Sequence, residues 1–265
     1  MRQFIVEKGK EKNGLINLDG KDYRYLRQVL RVRAGDMISV RLPDGSLKNA
    51  TVARIDEAGH QVTLQICAET GKTITRGVQA ENAGNADGVE YWLFQFLPRP
   101  QKFELIVRQA TECGVSVIVP VIGEYTEKSS AQALMGTKKE RLQKIIREAR
   151  QQSGSPVETK VLESMSLEQA IELWNGDVAF VLSERDDCDG NLRVAVEKAA
   201  DIKRAAIAVG SEGGISPEEV RLLQEKGLFV PVHFAVNILR CETAALYGIA
   251  AVQTEVGYKN VNKTN

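Results

Sequence analysis

The spacing of apolar positions changes along the chain. Over roughly the first 70 residues they fall in short runs: Met37–Leu42 and Ala50–Ile55 flank the turn Pro43-Asp44-Gly45, and Gln61–Ala68 follows Glu57-Ala58-Gly59. Strands at that spacing, separated by turn residues, predict a small barrel or sandwich. A helical piece, Asp22–Val32, interrupts them. Its Leu26, Val29 and Leu30 are spaced to pack inward, while Arg24, Arg27 and Arg31 share a face. The stretch Glu69–Gly88 then loses periodicity and gathers Gly71, Gly77, Gly84 and Gly88, as a connection between domains would.

From Tyr91 onward apolar strands alternate with amphipathic helices. The pattern predicts strands at Tyr91–Phe96, Val115–Ile122, Val178–Leu182, Ala205–Val209 and Phe229–Val232. It predicts helices at Phe103–Cys113, Lys138–Gln152, Ser166–Trp174, Leu192–Ala200, Pro217–Glu225 and Glu242–Val256. This is the signature of an α/β domain on a largely parallel sheet. The expected organisation is a small β domain over 1–70, a linker over 71–88 and an α/β domain over 89–265.

Charge adds little. Lys+Arg and Asp+Glu both total 35, so no overall basic excess advertises a nucleic-acid partner, and any such surface must be local. Two candidates exist: the Arg24/Arg27/Arg31 face, and the helix carrying Lys138, Lys139, Arg141, Lys144, Arg147 and Arg150. Each reads equally as a solvated helix face. The four cysteines lie far apart and only two histidines occur, a poor inventory for a disulfide framework or a metal centre. No apolar run approaches the roughly 20 residues of a membrane span, and no apolar stretch follows Met1-Arg2 as a secretory signal requires. The expected location is the cytoplasm.

Two loops stand where an open α/β sheet collects ligands, at strand carboxyl ends. The first is Gly210-Ser211-Glu212-Gly213-Gly214, followed by a clean helix start: Ser216 as N-cap, Pro217 next, Glu219 to complete a capping box. It lacks the spacing and the Gly-Lys-Ser/Thr ending of a phosphate loop, and Glu212 would repel phosphate. It suits a cationic or hydroxyl-bearing ligand, or is only a tight turn. The second is Asn237-Ile238-Leu239-Arg240-Cys241-Glu242-Thr243-Ala244, where Arg240 and Glu242 crowd the start of the last helix. Glu242 there is also a plain response to the helix dipole.

Together these two loops resemble motifs of the RsmE-type ribosomal RNA uridine-N3 methyltransferases, members of the SPOUT (trefoil-knot) superfamily. Val29-Leu30-Arg31 with Gly35-Asp36, Lys102–Val115 ending Thr111-Glu112-Cys113-Gly114-Val115, and Glu148-Ala149 with Gln152-Ser153-Gly154 agree in order, so the resemblance spans nearly the whole chain. It implies an α/β trefoil-knotted SPOUT methyltransferase domain preceded by a small PUA-like β-barrel, and a homodimer formed through the knotted domain. It implies S-adenosylmethionine held by Leu182, Ser183, Glu184, Gly210, Ser211, Glu212, Gly213, Gly214, Phe234, Asn237, Ile238 and Leu239. Arg240 and Glu242 would face the reaction centre. Arg24, Arg27, Arg31, Lys102, Arg147 and Arg150 would meet ribosomal RNA or the small ribosomal subunit, with no metal and no membrane involved. The resemblance departs where Tyr125, Ser155 and Asn237 stand in place of the family's usual arginines. That leaves open a divergent paralogue acting on another RNA, or a noncatalytic RNA-binding protein.

Overall fold

The structure, a computed structural model, describes residues 3–67, 85–127, 138–183 and 190–263. It divides into two compact units. The first takes its described residues from Met1–Ala83 together with Gln151–Pro156, and the second from Gly84–Arg150 and Val157–Asn265. The hexapeptide Gln151–Pro156 thus goes with the first unit although it lies far along the chain.

The first unit is a six-stranded sheet. Its strands are β1 (Gln3–Ile5), β2 (Glu11–Lys12), β3 (Leu15–Leu18), β4 (Met37–Arg41), β5 (Leu47–Asp56) and β6 (Gln61–Ile66), in the order β1-β4-β5-β6-β3-β2. All pairs are antiparallel except β1 with β4. Phe4, Ile16, Leu18, Leu26, Val40, Val52, Val62 and Leu64 fill its core. β1 to β3 went unpredicted because each is too short to show alternation. Buried Gln3 receives a hydrogen bond from buried Arg41 (2.8 Å) and donates one to the Ser155 carbonyl (3.1 Å), which ties the returning hexapeptide to this unit.

The predicted helix Asp22–Val32 needs correction. It is a short helix α1 (Gly20–Arg24) that widens into a π-helical turn over Tyr25–Val29, with Leu30 N–H bonded to the Tyr25 carbonyl. Arg31 ends it in the left-handed region (φ 55°). The wider turn breaks the 3.6-residue spacing. Leu26 is buried as expected, but Val29 is 58% exposed.

The second unit is a parallel sheet of β7 (Glu90–Phe96), β8 (Val117–Ile122), β9 (Lys160–Val161), β10 (Met165–Ser166), β11 (Val178–Leu182), β12 (Arg204–Val209) and β13 (Val230–Val232). The order is β10-β8-β7-β12-β11-β13, with β9 on β8. Helices cover both faces. α2 (Pro100–Glu112), α3 (Lys138–Ser153), α5 (Leu192–Lys198) and α7 (Cys241–Lys263) bury Phe103, Leu142, Val196, Ile249 and Val252 on one face. On the other face, α4 (Leu167–Leu173) and α6 (Pro217–Glu225) bury Ile171 and Leu223 against Phe94 and Phe229. The predicted capping boxes are present, Ser166 with Gln169 and Ser216 with Glu219. The chain leaves β7 towards β8, whereas the strand after β12, β13, lies on the opposite side. β7 and β12 therefore flank a topological switch, where ligands of open α/β sheets bind. No helix among the described residues is long and apolar enough to cross a membrane.

Candidate functional site

A cavity of about 1050 Å³ opens at the carboxyl ends of β11, β12 and β13. Three chain segments form most of its lining: Leu182–Ser183 at the end of β11, Val209–Ile215 after β12, and residues from His233 to Cys241 between β13 and α7, with Lys102, Tyr125 and Gly190 beside them. Sites that enclose small molecules run to about 300–1,000 Å³, so this one has room for a large ligand.

The glycine-rich loop is a tight turn and also a wall of this cavity. Gly214 N–H donates to the Ser211 carbonyl at 3.1 Å. A side chain at Gly210 would meet Gly214 backbone at 2.7 Å, and Gly214 holds φ 80°. Beneath the loop lies Gln95, fully buried, whose Nε2 donates to the carbonyls of Phe96 (2.9 Å), Gly210 (3.1 Å) and Val209 (3.3 Å). Gln95 was not foreseen as a site residue. Its signal was a lone amide inside the apolar run Tyr91–Phe96.

A second wall depends on Gly190. Its added Cβ would lie 1.8 Å from the Pro231 carbonyl oxygen, so only glycine lets this segment cross β13. His233 lines the cavity, and its Nδ1 lies 3.2 Å from the Ser183 carbonyl. A carbonyl only accepts, so Nδ1 carries the proton and ties the segments after β11 and β13 together.

Charge concentrates at one end. Lys102, from the first turn of α2, places Nζ 3.4 Å from Glu212 Oε1 and 3.4 Å from Glu242 Oε2. The Cys241 thiol donates to Glu242 at 3.2 Å, and the Arg99 backbone N–H donates to Glu212 at 3.3 Å. Desolvation pulls the Lys102 ammonium down, but Cys241, whose thiol ionises only in strong alkali, and the Glu212 and Glu242 carboxylates outweigh it and hold Lys102 above its ordinary value. Desolvation pushes Glu242 up, but its own backbone N–H, the Cys241 thiol and Lys102 leave it below the usual carboxylate range. Burial, with the Glu242 hydrogen bond, pushes the Cys241 thiol up to about 12, so it stays protonated at neutral pH. The group is therefore one cation between two carboxylates, with a neutral thiol. Arg240 is exposed on the cavity wall, its guanidinium without an ion pair among the described residues.

The expected cofactor residues Leu182, Ser183, Gly210, Ser211, Glu212, Gly213, Gly214, Phe234, Asn237, Ile238 and Leu239 all line this cavity, as does Arg240. Glu184 lies outside the described residues. Glu242 reaches the site through Lys102. Lys102, expected on RNA, lines the cavity and lies between two carboxylates. The other basic residues are not gathered here. Arg24 is exposed, whereas Arg27 is spent on the Val32 carbonyl (2.7 Å) and Glu57 (2.8 Å). Arg31 is exposed at the end of its helix. On α3, Arg141 pairs with Glu104 at 2.7 Å and Lys144 with Glu148 at 3.7 Å. Arg147 stands on the same helix, and Arg150 is half-buried, with desolvation lowering its pKa. No group of three or more metal-ligating side chains occurs among the described residues.

Fold and site together define an α/β protein with a cavity at the carboxyl ends of its parallel strands and a smaller, mostly antiparallel β unit. The chain belongs to the RNA methyltransferase family, whose domain matches residues 86–253. It is 30% identical over 227 residues to the Ribosomal RNA small subunit methyltransferase E of Aquifex aeolicus, covering 81% of this chain and 93% of that one. It is 23% identical over 266 residues to the Bacillus subtilis protein of the same name, covering 97% and 98%. Among solved structures it resembles a Ribosomal RNA small subunit methyltransferase E from Neisseria gonorrhoeae bound to S-adenosyl methionine, with TM-score 0.74 and 25% identity over 96% of this chain and 97% of that one.

Proposed function

We propose that this chain methylates N3 of a uridine in small-subunit ribosomal RNA, with S-adenosylmethionine as methyl donor. One observation carries the reading: in a member of an RNA methyltransferase family, the two loops singled out from sequence line one cavity at the carboxyl ends of β11, β12 and β13. The donor set fits that cofactor. Leu182, Ile215, Pro231, Phe234 and Leu239 offer apolar surface suited to an adenosine, and the glycine loop offers bare backbone. Glu212 and Glu242 give the charged end a negative character that suits a sulfonium and repels a triphosphate. Leu182–Ser183, Gly210–Gly214 and Phe234–Leu239 would hold it. When bound, it supplies an already activated methyl group.

The protein's own tasks are alignment and charge stabilisation. N3 lies on the Watson–Crick edge, so the uridine must be unpaired to enter. Arg240, whose guanidinium has no ion pair among the described residues, would hold a uracil oxygen or its phosphate and stabilise negative charge as the N3 proton leaves to solvent. Glu242, held low by its partners, is a poor proton acceptor and would instead orient Lys102.

The reading includes finer architecture. The α/β domain would be trefoil-knotted: α7 follows edge strand β13, yet Ala245, Ile249 and Val252 pack beneath the centre of the sheet, and Gly248 abuts Ile207 of β12. The domain of 1–70 would be a PUA-like barrel with its own RNA contacts at Arg24 and Arg31. A homodimer would form through the knotted domain, for which exposed Tyr247 and Val236 offer apolar surface. A ribosomal substrate would place the protein in the cytoplasm.

The test combines two measurements on the purified protein: calorimetric binding of S-adenosylhomocysteine, and methyl transfer to small ribosomal subunits isolated from cells lacking the gene. Binding with transfer supports the reading. RNA binding without cofactor binding supports the noncatalytic alternative, which Tyr125, Ser155 and Asn237 motivate.

A further inference from the structure

We infer that Tyr125 is a stacking platform for the unpaired base at the rim of the cavity. The inference rests on the proposed function and adds the residue that seats the base. Tyr125 follows the carboxyl end of β8, lines the cavity, and is 46% exposed. Among the described residues its ring meets no other aromatic ring and its hydroxyl has no hydrogen-bond partner. The other cavity aromatic, Phe234, is packed edge-on against Tyr247 with centroids 5.1 Å apart.

The backbone beneath Tyr125 is held rigidly. Gly123 N–H donates to Thr126 Oγ1 (2.9 Å), and Thr126 N–H returns to the Gly123 carbonyl (3.1 Å). Glu124 N–H donates to Glu219 Oε1 at 2.7 Å, and Glu219 is itself fixed by its capping box with Ser216. On the cavity side Tyr125 abuts Gly213, where an added Cβ would come within 2.8 Å of the Tyr125 Cβ. The segment Gly123–Thr126 is thus hydrogen-bonded to the start of α6 and packed on Gly213, with an aromatic face at the cavity that meets no other ring among the described residues.

That arrangement suits a planar, uncharged ligand group. Every nucleobase has a π-face, and stacking on a protein aromatic strengthens single-strand binding without reading sequence. A rigid aromatic loses little side-chain entropy on binding. In an RNA methyltransferase whose target must leave its helix, the occupant is an unpaired base.

The experiment compares Tyr125→Ala and Tyr125→Phe with wild type. The probes are a fluorescently labelled oligouridylate and an abasic ribose-phosphate oligomer of equal length, read by anisotropy. Stacking predicts that Tyr125→Ala weakens oligouridylate binding about 5- to 150-fold, while Tyr125→Phe stays close to wild type. Neither variant should change the affinity for the abasic oligomer. Unchanged oligouridylate affinity in Tyr125→Ala, an equal loss on both oligomers, or a wild type that does not distinguish them would each overturn the inference. Failure of the broader function would appear separately, as a wild type that binds no S-adenosylhomocysteine and transfers no methyl group.

Discussion

Replacing Lys102 by methionine keeps most of the side-chain stem and removes the charge that links the glycine-rich loop to the start of the last helix. The ammonium lies 3.4 Å from both Glu212 and Glu242. At an effective dielectric near 20, each contact is worth roughly 5 kcal/mol before solvation is counted. The side chains are 26%, 34% and 18% exposed for Lys102, Glu212 and Glu242, so screening and desolvation remove most of that. About 1 kcal/mol per contact survives in partly exposed pairs. The expected net loss is about 2 kcal/mol, or about 4–8 °C in Tm for a chain of this size. Lys102 is raised, so its contribution is complete below its ordinary 10.5 and fades as pH climbs through the raised value. Glu242 is lowered, so its contribution is complete above its ordinary 4.5 and fades as pH falls through the lowered value. The Tm gap between wild type and Lys102→Met should therefore be flat across the neutral range and narrow in acid. Cofactor affinity should fall as well, because two cavity walls lose their tie. Thermal denaturation across pH, with calorimetry of S-adenosylhomocysteine at neutral pH, reads both effects. Equal Tm and equal affinity in the variant would refute the bridging role, as would a coupling near zero in double-mutant cycles with Glu212→Gln and Glu242→Gln.

Other consequences can be checked singly. Arg240→Ala should abolish methyl transfer while leaving S-adenosylhomocysteine affinity within a few-fold of wild type; full activity would remove its assigned role. Gly190→Ala places a Cβ 1.8 Å from a backbone oxygen, and should yield insoluble protein or one several degrees less stable by calorimetry. Ser216→Ala removes an N-cap and should cost about 1 kcal/mol in denaturant unfolding. With its thiol pushed up to about 12, Cys241 should resist iodoacetamide at pH 8 in the folded protein and react once it is unfolded, as peptide mass spectrometry would report.

The α/β half was legible because its signals are local. Val178–Leu182 and Pro217–Glu225 appear within their predicted bounds, each set by an apolar run or a capping box. The six-stranded unit was less legible. Leu15–Leu18 is a strand because it pairs with Gln61–Ile66, a long-range fact that four residues cannot announce. The π-helical turn at Tyr25–Val29 also defeats a 3.6-residue reading. At the site, the glycine loop and the Arg240 segment could be read as ligand loops, but their convergence on one cavity could not. Lys102 shows the limit most clearly. The resemblance assigns it to RNA, and only the fold reveals the carboxylates 110 and 140 positions away. Gln95 and His233 gain their meaning likewise from the segments they join.

The central claim is tested most directly by mass spectrometry of nucleosides from small-subunit ribosomal RNA, from cells with and without the gene. N3-methyluridine should disappear when the gene is removed. The purified protein should restore the mark to those subunits when given S-adenosylmethionine. An unchanged level of N3-methyluridine in the deleted strain would contradict the claim.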